Sequence, residues 1–154
     1  MAKPIVQLAT LMLIAVGPAN AQSTSEAEVK AVVVRFLQAA GRGDLDAMVP
    51  MFAPGASIAS AALRDGKWVT ASRSFDAWLA AIRAAPAGQP YQEPVTEFTV
   101  HVDDERLAFV RADAKLIRDG VVRSHNIDYF TLIRDTTGVW KFVNGSYTTK
   151  PTPR

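Results

Sequence analysis

The chain of 154 residues has no cysteine, which excludes disulfides, zinc–thiolate sites and thiol nucleophiles. Histidine is nearly as scarce, limited to His101 and His125. A metal site needs about three convergent protein ligands; no such spacing occurs, and no metal is expected. Neither sign of charge dominates, with 17 Lys+Arg against 15 Asp+Glu. A basic stripe of the kind that engages nucleic acid is missing, so a nucleic-acid partner is not expected. No cofactor motif, internal repeat or low-complexity segment occurs, and no cofactor is expected. Long apolar runs are also lacking. The one continuous candidate, Ile5 to Val16, is mostly apolar over twelve residues, short of the roughly 20 that a membrane-spanning helix needs.

That short run has the flanks of a secretory leader. Lys3 supplies a positive start, Gly17-Pro18 breaks the run, and Ala19-Asn20-Ala21 is the small-x-small pattern that signal peptidase reads. The expectation is a leader over residues 1–21, cleaved after Ala21, with a periplasmic or secreted product and no membrane partner afterwards. No cysteine follows the run, so a lipid anchor is excluded. The expected domain covers residues 22–150, with a frayed tail over 151–154. Loss of Lys3 with the leader lowers the formal charge from +2 to +1.

What the chain does contain is regular patterning. From Glu26, residues Val29, Val32, Val33, Phe36, Leu37 and Ala40 fall on one helical face, and Gly41 and Gly43 end the helix. Asp44 is an N-cap for a short helix through Leu45, Met48 and Val49. Arg64-Asp65-Gly66 joins extendable runs over Ala56–Leu63 and Lys67–Ser72 as a hairpin. Ser74 caps a third helix, Phe75–Ala85. Four strands follow in a meander, over Val95–Val102, Leu107–Ile117, Val121–Ile133 and Val139–Thr149, joined by polar turns. The order predicts an α+β domain: three helices from the N-terminal half, packed in the concavity of a curved, mainly antiparallel sheet. Such a cone leaves a cavity, the usual place for a small ligand.

Two stretches carry a family resemblance. VVRFLQAAGRGDLDAMVPMFAPGA, Val33 to Ala56, resembles the opening of the nuclear transport factor 2-like superfamily. Asp128-Tyr129-Phe130-Thr131-Leu132, followed by Gly138-Val139-Trp140-Lys141-Phe142-Val143-Asn144, resembles its closing hairpin. Together they are most similar to the family called putative lumazine-binding, near the SnoaL-like proteins and the ketosteroid isomerases. The resemblance implies the cone-shaped, cystatin-like fold and, from the superfamily's habit, a homodimer through the convex sheet face, where Phe109, Ile117, Val121, Ile127, Tyr129 and Ile133 fall.

Against the isomerase pattern the chain is incomplete. Arg35 is followed by Phe36 where the pattern has a tyrosine, and the catalytic base position falls at or near Ser60. Ile127-Asp128-Tyr129-Phe130 matches the remaining aspartate. One donor without a base cannot move a proton off carbon, so isomerase activity is not expected. Asp128 then has three readings: a structural acceptor, a ligand contact, or a catalytic acid. Its face depends on the Arg118-Asp119-Gly120 turn. A three-residue loop continues its face through Leu116, Ala114, Ala112 and Val110; a two-residue loop sets it beside Arg111, Asp113 and Lys115. The first separates apolar from charged residues and is preferred.

The expected function is binding of a small apolar or aromatic molecule in the cone, contacted by Phe36, Asn126, Asp128, Phe130, Asn144 and Tyr147, without catalysis. The alternatives are a cyclase-, dehydratase- or isomerase-like enzyme pairing Asp128 with His125 or Tyr147, and a homodimeric interaction module.

Overall fold

The computed structural model describes residues 18–152 apart from Ala87, with side chains described from Thr24 onward. The first seventeen residues of the expected leader lie outside this range. Helix α1 (Pro18–Arg42) leads to α2 (Leu45–Met48), a 3-10 turn (Val49–Met51) and the hairpin β1 (Phe52–Arg64) and β2 (Lys67–Ser74). Then come α3 (Phe75–Ala84) and the meander β3 (Val95–Asp103), β4 (Leu107–Arg118), β5 (Val121–Arg134) and β6 (Trp140–Pro151). The six strands form one sheet in the order β2-β1-β6-β5-β4-β3. Every pairing is antiparallel except β1 with β6. Among the described residues no helix is long and apolar enough to cross a membrane.

Local chemistry accounts for the boundaries. The Asp44 side chain accepts from the Ala47 amide at 3.1 Å, and Ser74 Oγ accepts from Ala77 at 3.2 Å, so both short helices have satisfied first turns. Asp65 and Gly66 have φ of 48° and 74°, the left-handed pair whose twist suits a two-residue hairpin. Helix α1 starts eight residues before the predicted Glu26, with Pro18 at its first turn, where a missing amide hydrogen costs nothing. It therefore runs through the Ala21–Gln22 junction. At the other end the tail is held further than expected. β6 continues to Pro151, the Thr152 amide donates to Arg123 at 3.0 Å, and its hydroxyl donates to Val122 at 2.8 Å. Fraying from residue 151 is thus corrected: edge hydrogen bonds to β5 hold the chain as far as Thr152.

The concave face of the sheet is apolar, and the helices fill it. Val29, Val33, Phe36 and Leu37 of α1 are buried against Ala108, Val110, Phe130, Leu132 and Phe142. Phe36 is the hub. Its ring meets Phe52, Phe130 and Phe142 at centroid distances of 5.4, 5.7 and 5.1 Å, the first two edge-on. Phe52 in turn stacks on Phe75 at 3.9 Å, which brings α3 onto the same cluster. At the far end of α1, Glu28 accepts from the Arg134 guanidinium and from Trp140 Nε1, and that guanidinium lies 5.1 Å over the Trp140 ring.

Two bulges decide which side chains face this core. Asp119 and Gly120 form a two-residue turn, with φ of 52° and 71°, where the favoured register called for three. Arg123 then stands unpaired between Ser124, opposite Leu116, and Val122, opposite Ile117. That extra residue restores the phase, so Asp128 lies opposite Ala112 and Phe130 opposite Val110, as in the favoured register. A second shift, at Val143, separates Phe142 opposite Leu132 from Asn144 opposite Thr131.

Truncating the hub should be costly. Phe36→Ala is expected to lose about 3–5 kcal/mol in urea unfolding, whereas Val139→Ala, exposed in the turn before β6, should fall within about 0.5 kcal/mol of the parent. Equal losses would show that the Phe36 cluster does not organise the fold.

Candidate functional site

The cone narrows into a cavity of about 280 Å³ between α1, α3 and the sheet. Its walls are mostly apolar: Phe36, Leu37 and Ala40 from α1, Trp78 from α3, and Ile58, Leu116 and Phe130 from the strands. Gly145 contributes by having no side chain, since a Cβ there would stand 3.2 Å from Ile58 Cδ1. The polar groups are Tyr91, Glu93, Asn126, Asp128, Ser146, Tyr147 and Thr149.

Asn126 and Asp128 reach the cavity because even-numbered residues of β5 point inward. Tyr147 lies opposite Asp128 and Thr149 opposite Asn126 on β6. Tyr91 and Glu93 arrive differently, on a strap between α3 and β3. The Tyr91 amide donates to Gly41 O at 2.9 Å. Gln92 exchanges both backbone hydrogen bonds with Ile117, at 2.9 and 2.8 Å, and Lys115 donates to Pro94 O at 3.3 Å. Any Cβ on Gly41 would come within 2.3 Å of the Tyr91 carbonyl oxygen, so this close approach requires glycine.

The electrostatics are unusual for so apolar a space. Asn126 Nδ2 donates to Glu93, while Ser124 Oγ donates to Asn126 Oδ1 at 3.1 Å and so fixes the amide's orientation. Asp128 is only 5% exposed, and its Oδ2 is buried with no hydrogen-bond partner. Desolvation pushes its pKa up to about 8, reinforced by the charges of Glu93 and Asp113. Burial raises Glu93 as well, against the stabilising Asn126 bond. Tyr91 is raised by burial and by Glu93, Tyr147 and Asp128, with Arg118 opposing. At neutral pH Asp128 is therefore a carboxylic acid, a hydrogen-bond donor in an apolar site. Among the described residues no group of three or more His, Cys, Asp and Glu side chains could hold a metal ion.

Five of the predicted contact residues meet here: Phe36, Asn126, Asp128, Phe130 and Tyr147. Asn144 does not, and is corrected. The shift at Val143 turns it to the convex side, where its Nδ2 donates to Ser57 Oγ at 2.9 Å and its Oδ1 accepts from Ser146 at 3.3 Å. The same shift brings Tyr147 inside. His125 sits exposed on the opposite face of β5 from Asp128, so it cannot serve as that residue's acid–base partner. Glu93 was not foreseen. It lies in an aperiodic loop, and its only flag is the pair of prolines, Pro90 and Pro94, that stiffen the strap.

The family described as putative lumazine-binding matches residues 24–148, and the chain belongs to it. Solved structures show the same fold. A nuclear transport factor 2-like (NTF2-like) protein of unknown function from Pseudomonas putida aligns at 14% identity and a TM-score of 0.63, covering 82% of this chain and 87% of that one. An NTF2-like protein with a cystatin-like fold from Novosphingobium aromaticivorans aligns at 19% identity and 0.63, covering 84% and 85%. A putative dehydratase of the NTF2-like family from Streptomyces avermitilis aligns at 18% and 0.60, covering 86% and 99%. No curated protein matches the chain at a significant level.

Two outcomes test the site's physics. The folded chain keeps a proton on Asp128 that the unfolded chain releases near pH 4, so this group's stability contribution is lost as pH rises from about 4 to about 8. The stability of Asp128→Asn relative to the parent should therefore climb between pH 5 and 8 and level off above, by thermal unfolding; a flat difference would contradict a buried neutral acid. Gly41→Ala should cost more than the usual gain of a helical alanine, about 1 kcal/mol, and shift the Tyr91 resonances. A stabilised variant would show that the strap is not tied to α1.

Proposed function

Taking membership of the putative lumazine-binding family as the premise, we propose that the chain is an exported protein that binds a small, mostly apolar or aromatic molecule in its cone. The observation carrying this reading is the cavity itself: about 280 Å³, walled by aromatic and aliphatic side chains, with its polar groups gathered around Asp128. An apolar cleft with a few convergent polar groups is the physical form of a small-molecule site. Ser60, at the expected base position, is absent from the cavity lining. This leaves binding as the function the geometry serves best.

A thermal-shift panel of flat aromatic compounds, flavins and pterins included, should give stabilisation that Ala40→Phe abolishes, because that side chain would project from α1 into the cavity. No stabilisation by any compound would overturn the reading. Export is supported by the leader-like residues Lys3 to Ala21; mass spectrometry of the chain recovered from a secreting host should find it starting at Gln22, and an intact Met1 would refute it. A homodimer through the convex face is supported by the exposure of Phe109, Val121, Tyr129 and Ile133 (47, 50, 45 and 37%). Light scattering should give twice the chain mass, and Phe109→Lys with Tyr129→Lys should return the monomer.

A further inference from the structure

The carboxyl side chains lining the cavity are those of Glu93 and Asp128, and no base lines it. Neither has an ion-pair partner among the described residues. The walls around them present the rings of Phe36, Trp78, Tyr91, Phe130 and Tyr147. Burying two carboxyl groups together is costly unless something of opposite charge joins them. One of their oxygens, Asp128 Oδ2, is buried and without a partner. A carboxylate oxygen accepts from N–H groups, and ring faces attract cations. From this juxtaposition we infer that the cavity selects an organic ammonium ion: an aromatic or aliphatic amine whose charged nitrogen sits between Asp128 and Glu93 and whose apolar body lies on the rings. The inference rests on the binding reading above and narrows its ligand class.

The groups facing this position are known from every element around it. Glu93 and Tyr91 come from the strap and Tyr147 from β6, while Asp113 acts from the other face of β4. Among the described residues no base lines the cavity: Arg118 acts on Tyr91 from outside it, and Arg111 is paired with Asp113 at 2.9 Å. A carboxylate ligand would therefore meet two acids and no base. In the empty cavity Asp128 holds its proton. An ammonium ion arriving beside it favours the ionised form, so the proton leaves Asp128 for the solvent as the amine binds. The net charge inside the cavity is the same before and after, because the ammonium takes the place of the departing proton, which limits the cost of burying the cation.

The test compares benzylammonium with benzyl alcohol and benzoate on the full folded domain, by titration calorimetry in two buffers of different ionisation enthalpy. Benzylammonium should bind at least tenfold more tightly than benzyl alcohol, with benzoate weakest. It should release close to one proton at pH 7, and its affinity should rise between about pH 6 and pH 8, by up to about tenfold per unit. Asp128→Asn should erase both the proton release and the amine preference. If that variant fails to fold, Glu93→Gln should still weaken the ammonium more than the alcohol. Benzyl alcohol binding as tightly as the amine, or amine binding without proton release, would overturn the ammonium inference and leave a neutral-ligand cavity standing. Binding of none of the three would overturn the inference, and failure of the aromatic panel as well would bring down the binding reading with it.

Discussion

The contact on which the structure turns is the ring of Phe36 set among Phe52, Phe130 and Phe142. It fixes α1 against two neighbouring regions of the sheet at once, and Phe52 carries the contact on to α3 through Phe75. The same side chain that seals the core is the first wall of the cavity. A phenylalanine rather than a tyrosine at this position therefore gives an apolar wall and leaves the polar chemistry to the opposite end.

That opposite end is an energetic compromise. Asn126, held by Ser124, satisfies Glu93, but no group among the described residues satisfies Asp128 Oδ2. A buried polar atom left unpaired costs about 1–3 kcal/mol, and the neutral acid is the cheaper of its two states. The strap that brings Glu93 into place depends on backbone hydrogen bonds at Gly41 and Ile117. Position 41 is thus constrained by a loop fifty residues away, and the identity of the cavity's second acid depends on a helix glycine that touches no ligand.

Much of the fold was legible because it rests on local signals. The apolar stripe from Val29 to Leu37, the caps Asp44 and Ser74, and the Asp65-Gly66 turn each state their element within a few residues. Three of the predicted cavity residues were legible for a similar reason, since alternation on β5 puts Asn126, Asp128 and Phe130 together, and Phe36 was legible from the helical stripe. What escaped depends on phase and on distant pairing. The extra residue at Arg123 compensates a turn one residue shorter than expected, and the shift at Val143 turns Asn144 away from the cavity. Neither bulge is marked by glycine or proline at the bulged position. Glu93 escaped for a different reason: a strap held by its backbone leaves no side-chain pattern to read.

The parallel pairing of β1 with β6 has a further consequence, for the order of assembly. The last strand lies between β1 and β5 and is the only link joining the β1–β2 hairpin to the β3–β5 meander. Until residues 140–151 are in place, each fragment is a small sheet with two open edges, and neither encloses a cavity. Closing this pair fixes contacts across some ninety residues of chain, the kind of long-range step that makes β-rich domains slow to fold. The insertion of a single strand thus joins two half-sheets into one, and it also sets Tyr147 and Thr149 in the cavity wall opposite Asp128 and Asn126.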